Sequence, residues 1–210
     1  MRDLVILVAD LQCEATLLGF FQRNQCHLSL GCGKFVFDPR QDLFRDTKND
    51  PGVWKNGHEI LRSLRATHRN ALIILDNAWE GSPGVETIEG DLSRQMTGSG
   101  WVRERFEVVV IDPELESWIW QDNHHVERAL GHDGVPSLRF RLEQAELWPS
   151  DCLKPPDPKR AVETVNGWYR FGPPSPVFQE IASKVTLKAC VDPAFRKMRQ
   201  ALRRWFPAQP

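Results

Sequence analysis

Three uninterrupted apolar runs divide the first half of the chain, and each ends in an acid. They are Leu4 to Ala9 before Asp10, Ala71 to Leu75 before Asp76, and Val108 to Ile111 before Asp112. Runs this short, bounded by polar or turn residues, predict strands buried on both faces, the pattern of a parallel sheet. A shorter alternation, Lys34 to Asp38, predicts a further strand. Between and after these runs the apolar spacing changes to a helical period. Helices are expected over Leu11–Arg23, Asn56–His68 (with Asn56 as cap), Val85–Met96 and from Pro113 through Trp120. Others follow over His124–Leu130, Ser137–Leu147, Lys159–Trp168, Ser175–Lys184 and Pro193–Phe206. Residues Pro39–Gly52, which include Asp42, Asp46 and Asp50, read as one long polar loop.

Strand and helix therefore alternate and then give way to helices alone. That order predicts an α/β fold: a three-layer core around a mostly parallel sheet of about four strands, with a helical C-terminal appendage. The expected division is an α/β domain over 1–150 and a helical extension packed on it over 151–210. The proline-rich run from Leu153 to Lys159 marks a stiff join.

Composition narrows the class. With 210 residues, 41% of them hydrophobic, and a formal net charge of -1, the chain suits a soluble globular protein with no global pull toward nucleic acid or membrane. No apolar run approaches the length of a membrane span, and the apolar N-terminus reads as a strand rather than a signal peptide. The cysteines (Cys13, Cys26, Cys32, Cys152 and Cys190) are scattered and odd in number, which fits reduced thiols and a cytoplasmic setting. The balance breaks only near the end. From Lys184 to Arg204 seven basic residues face a single acid, Asp192.

Candidate chemistry follows from where the strands end. In an open α/β sheet ligands bind beyond the carboxyl edge of the strands. Parallel, adjacent strands would bring Asp10, Asp76, Asp112 and Glu114 to one edge, with Glu14 one turn into the first helix and Glu80 in the loop after Asp76. Carboxylates gathered in this way suit a hard divalent cation such as Mg²⁺, which takes one or two protein carboxylates and keeps its waters. Each acid also has a plainer role available, as a helix cap or a first-turn acid facing the helix dipole. Glu114 and Glu116 cannot both face the same way on a helix, so at most one should join the cluster. Neither His124-His125 nor Cys26-His27 with Cys32 has a zinc spacing. P-loop, dinucleotide and nucleophile-elbow motifs are missing too. The tryptophans lie mostly at helical spacing and read as core. The basic C-terminal helix, including Arg199 and Arg203, and the linker cations Lys154 and Lys159 are candidates for phosphate contact.

These residues resemble a known fold. An acid after the first strand and an acid-bearing loop after a central strand are similar to Toprim proteins, which include topoisomerases, primases and nucleases of the overcoming-lysogenization-defect type. The run Ile111-Asp-Pro-Glu-Leu-Glu-Ser-Trp118 is similar to an element of Toprim-like proteins from prokaryotic defence islands. Asp50-Pro-Gly52, Lys154-Pro-Pro-Asp-Pro-Lys159, Cys190-Val-Asp-Pro-Ala-Phe195 and the closing Arg-Trp-Phe-Pro207 resemble a family in methylation-associated phage defence. The resemblance implies Mg²⁺- or Mn²⁺-dependent phosphodiester chemistry on DNA, with other subunits of a defence system as partners and a homodimer left open. Toprim sites use a Glu after the first strand for proton transfer and an Asp-x-Asp pair for metal. Here Asp10, with Glu14 behind it, stands at the first position. Asp76 matches the start of the pair, but position 78 is Ala and the next acid is Glu80. The implied assignment is Asp10 or Glu14 for proton transfer and Asp76 with Glu80 for metal, Glu114 or Glu116 adding a further contact. The departure at Ala78 implies an alternative, a non-catalytic subunit that keeps the fold for binding.

Overall fold

The computed structural model describes residues 1–188 and 190–208. The chain runs β1 (Arg2–Val8), α1 (Leu11–Phe21), α2 (Cys26–Leu30), α3 (Pro39–Asp42), β2 (Leu43–Arg45), α4 (Asn49–Arg62), β3 (His68–Asp76), α5 (Val85–Gly98) and β4 (Phe106–Ile111). Then come α6 (Glu116–Ile119), α7 (His124–Ala129), α8 (Leu138–Gln144), α9 (Pro158–Tyr169), α10 (Pro174–Lys184) and α11 (Pro193–Trp205). The four strands pair in the order β2-β1-β3-β4, all parallel.

Alternation along each strand sends successive side chains to opposite faces. Leu4, Ile6 and Val8 of β1 join one core with Leu72 and Ile74 of β3, and α1, α10 and α11 cover that face. Val5 and Leu7 join Ala71, Ile73 and Leu75 in a second core under α4 and α5. The fold is thus α/β in three layers, and the C-terminal helices α10 and α11 belong to one of them. Trp118 and Trp120 are buried in the first core, and each indole N–H is satisfied. Trp118 Nε1 donates to Asp192 at 2.9 Å and Trp120 Nε1 to the Pro158 carbonyl at 2.9 Å. No described helix is long and apolar enough to cross a membrane.

Four expectations need correction. Lys34–Asp38 is not a strand. Phe35 and Phe37 pack on Phe21, with ring centroids 5.9 and 5.0 Å away, and the Val36 N–H donates to the Asp3 carboxylate rather than to a ladder. The edge strand is Leu43–Arg45, inside what reads as a polar loop, and it pairs with β1 from Ile6↔Leu43 to Val8↔Arg45. The same stretch is ordered by buried Asp42, which accepts from the Arg2 guanidinium, from the Asp38 N–H at 2.6 Å and from His68 Nε2 at 3.1 Å. Finally, α4 starts at Asn49, not Asn56, and α6 starts at Glu116 after a cis Asp112–Pro113 bond rather than at Pro113. Pro51 suits the first turn of α4 because its missing N–H would have no helical acceptor there.

Candidate acidic site at the strand ends

The strand order creates a switch point. From β1 the chain moves out to β2, whereas from β3 it moves the other way to β4. The connections diverge above the carboxyl ends of β1 and β3, the place where open α/β sheets form their ligand crevice. Asp10 follows β1 and Asp76 is the last residue of β3, so these two acids flank the crevice.

Local structure fixes each of them. Asp10 caps α1, its Oδ1 accepting the Cys13 N–H at 2.7 Å. Asp76 Oδ2 accepts the Leu115 N–H at 3.1 Å, which draws the start of α6 to the crevice. The Asp76 N–H in turn donates to Asp50 Oδ1 at 2.7 Å, bringing the first turn of α4 against β3. Glu116 opens α6 and is half-buried beside them.

The cost of this convergence is visible in the protonation equilibria. Burial pushes Asp76 well above the usual carboxylate range, and Asp50, Asp10 and Glu116 add repulsion that the Leu115 N–H only partly offsets. Burial, with Asp10 behind it, raises Asp50 as well. Glu116 is pushed up to about 7, first by burial and then by Glu114 and Asp10, with Lys159 opposing. Cys13 lies under the same acids. Burial and then Asp10, Asp76 and Asp50 lift its thiol well above the ordinary value, so it stays a thiol and not a nucleophile.

Not every expected residue takes part. Asp10, Asp76 and Glu116 converge. Glu14 is held by Arg45, its Oε2 at 2.7 Å from Nε. Glu114, just before α6, accepts from Lys159 at 3.1 Å, so of the two acids only Glu116, which makes no ion pair among the described residues, acts on Asp76. Glu80 is exposed on the loop after β3. That loop is tied toward β4 by Asn77 N–H to the Ile111 carbonyl at 2.8 Å and Ala78 N–H to the Pro113 carbonyl at 3.1 Å. Asp50 is the member that sequence reasoning passed over, because 26 residues separate it from Asp76 and nothing local links them.

The cationic candidates are partly spent. Lys154 Nζ donates to the Ser117 carbonyl, and Lys159 is paired with Glu114. Arg199 is buried, donating from Nε to the Leu30 carbonyl at 3.2 Å and from Nη1 to the carbonyls of Leu187 and Lys188 at 3.1 and 3.0 Å. Arg203 is exposed, with Nε on the Gly31 carbonyl at 3.0 Å.

No family model, curated protein or solved structure matches the chain.

The donor chemistry of the crevice suits a hard cation, since every converging group is a carboxylate. Asp76 Oδ1 and Asp10 Oδ2 carry no protein hydrogen bond among the described residues. Among the described residues no three His, Cys, Asp or Glu side chains are placed to enclose an ion. An ion here would rest on one or two carboxylates with water completing its shell, the usual habit of Mg²⁺.

Proposed function

We propose that this chain is a Toprim-like, Mg²⁺-dependent nuclease subunit acting on DNA phosphodiesters within a prokaryotic phage-defence system. One observation carries the reading: carboxylates from separate elements, Asp10, Asp50, Asp76 and Glu116, are driven together at the switch point despite their mutual repulsion. A cation bound between them would relieve that repulsion.

In this reading Asp76 and Asp10 hold the ion, and Asp50 holds Asp76 in place through its backbone N–H. When bound, Mg²⁺ supplies charge stabilisation to phosphoryl oxygens and lowers the pKa of a coordinated water. Glu116, titrating near 7, suits the transfer of a proton at neutral pH. The Glu14 carboxylate, paired with Arg45, is left out of the chemistry, and so is Glu80.

A second reading has its own support. The ion pair at Glu14, the Leu115 N–H on Asp76 and the alanine at position 78 all suit a non-catalytic subunit that binds DNA or protein. Calorimetric titration of Mn²⁺ into the purified protein separates the two. Wild type should bind, and Asp76→Asn should weaken binding at least tenfold while still folding. If the wild type takes up no Mn²⁺ even with DNA present, the nuclease reading is wrong and the binding subunit stands.

A further inference from the structure

The helix α11 carries basic residues on two sides, and they are treated differently. On one side Lys197 lies 2.6 Å from Glu89, and Arg204 lies 2.8 Å from Glu107 of β4. These cations fasten the helix to the sheet and α5. On the other side Arg196, Arg199 and Arg203 fall one turn apart, at i, i+3 and i+7, and make no ion pair among the described residues.

That second side opens into a cleft of about 400 Å³, lined by Arg196, Arg199, Gln200 and Arg203 from α11 and by Lys188 from the segment before it. Among the described residues no acid lines it. The nearest acid in sequence, Asp192, is buried and spent on the Phe195 N–H and the Trp118 indole. Arg199 forms the floor. It is 8% exposed, and its Nε and Nη1 are fixed on three carbonyls, while its Nη2 has no protein acceptor among the described residues. Burial, and then repulsion from Arg203 and Arg196, draws its pKa below the ordinary arginine value.

A guanidinium held in place by several hydrogen bonds, ringed by further cations and no acid, presents its remaining Nη2 donor in a fixed position suited to an oxyanion. We propose that this cleft is a phosphate-binding site, with Arg199 as the rigid floor and Arg196, Arg203 and Lys188 as the closing rim. It deepens the nuclease reading and rests on it for the choice of phosphate among oxyanions. The phosphate could come from a DNA backbone or from a free phosphate or nucleotide, and the chemistry at the cleft is the same.

The test is made without metal, in EDTA, so that it does not depend on the strand-end acids. Three probes are titrated: inorganic phosphate, a nucleoside monophosphate and a short fluorescein-labelled DNA strand. The variants are R196Q/R203Q, Lys188→Gln alone, and Lys184→Gln on α10 as a control for net charge. Arg196 and Arg203 are both exposed, and the one bond lost is that from Arg203 Nε to the Gly31 carbonyl, so the double variant should keep the circular dichroism of the wild type and melt close to it.

If a DNA backbone is the source, the double variant binds the strand at least tenfold more weakly at low salt. Its salt dependence flattens by about one to two in log–log slope, as expected for two lost phosphate contacts. If the source is a small phosphate, the inorganic and nucleotide probes lose binding in the double variant while DNA shows none in either protein. In both cases Lys184→Gln leaves binding unchanged and Lys188→Gln lowers it. The proposal is overturned if wild type binds no probe, or if the folded double variant binds as well as wild type. A null result here leaves the Mn²⁺ titration at Asp76 untouched, and the converse also holds, so the two failures are distinguishable.

Discussion

The strand-end crevice and the α11 cleft have opposite charge and are built on opposite plans. In the crevice the backbone decides. Parallel strands deliver Asp10 and Asp76 to one edge whatever their charge, and helix starts bring Asp50 and Glu116 to join them. These acids are half-buried, and burial with mutual repulsion raises the pKa values of Asp76, Asp50 and Glu116. In the cleft the side chain decides. One guanidinium is buried with its Nε and Nη1 held by carbonyls, and its neighbours Arg196 and Arg203 stay exposed to water. Carboxylates can shed repulsion by taking up protons, whereas arginines cannot, so only the arginine cluster needs a counter-ion at every accessible pH.

Breaking the floor of the cleft should have the largest effect. Arg199→Met would leave the carbonyls of Leu30, Leu187 and Lys188 without their donor in a buried setting. A loss of about 3 kcal/mol or more in urea-unfolding free energy is expected, from the cost of several charge-assisted bonds. Arg196→Gln, exposed on the same stripe, should cost under about 0.5 kcal/mol. Equal effects from the two changes would mean that Arg199 is not the structural member of the set.

That distinction was partly legible. Phe195, Met198, Leu202 and Phe206 define the buried stripe of α11, and Arg199 sits on it, one residue past Met198 and four past Phe195. Helical periodicity alone thus marks Arg199 as the arginine that must be buried, yet a count of basic residues groups it with its exposed neighbours. The same contrast runs through the fold. β1, β3 and β4 are long, buried on both faces and plain in the sequence. β2 has three residues, pairs on one side only and is half-buried, so its apolar signal is weaker than that of Phe35 and Phe37, which pack without pairing. The acids Asp10 and Asp76 were legible because strands end at them. Asp50 was not, because its place is set by how α4 docks against β3, a contact with no local signature.

The crevice makes a pH-dependent prediction of intermediate size. The folded protein holds the Glu116 proton up to about 7, whereas the unfolded chain releases it near 4.5. Between those values the folded state binds more protons, so this contribution is complete below about 4.5 and is lost as pH rises through about 7. An upper bound is about 3 kcal/mol, because each tenfold change in proton affinity is worth about 1.4 kcal/mol. Glu116→Gln should therefore be more stable than wild type at pH 8 by about 1–3 kcal/mol, with the difference vanishing near pH 4. Urea midpoints measured across that range test it. Because Glu116 is coupled to Asp10 and Asp76, the wild-type slope belongs to the cluster and should flatten when Mn²⁺ is added. A difference that instead grows toward low pH would mean that Glu116 is stabilised as a carboxylate and that repulsion does not govern the crevice.

The smallest effects separate the acids of the crevice from those beside it. Glu14 and Arg45 form an ion pair with both side chains partly in water, at 30% and 42% exposure. Such a pair contributes under about 1 kcal/mol. Glu14→Gln should shift the urea midpoint barely at all, and Glu80→Gln not measurably, since Glu80 is exposed and makes no ion pair among the described residues. Neither change should alter Mn²⁺ affinity, because Glu14 is engaged by Arg45 and Glu80 is exposed on the loop. If Glu14→Gln left stability unchanged but cut Mn²⁺ affinity tenfold, Arg45 would be releasing Glu14 to the ion, and the boundary drawn between cluster and neighbour would have to move outward to include α1. Unchanged affinity in both variants, beside a large loss in Asp76→Asn, would confine the ion to the space between β1, β3 and α6, where repulsion among the acids is greatest.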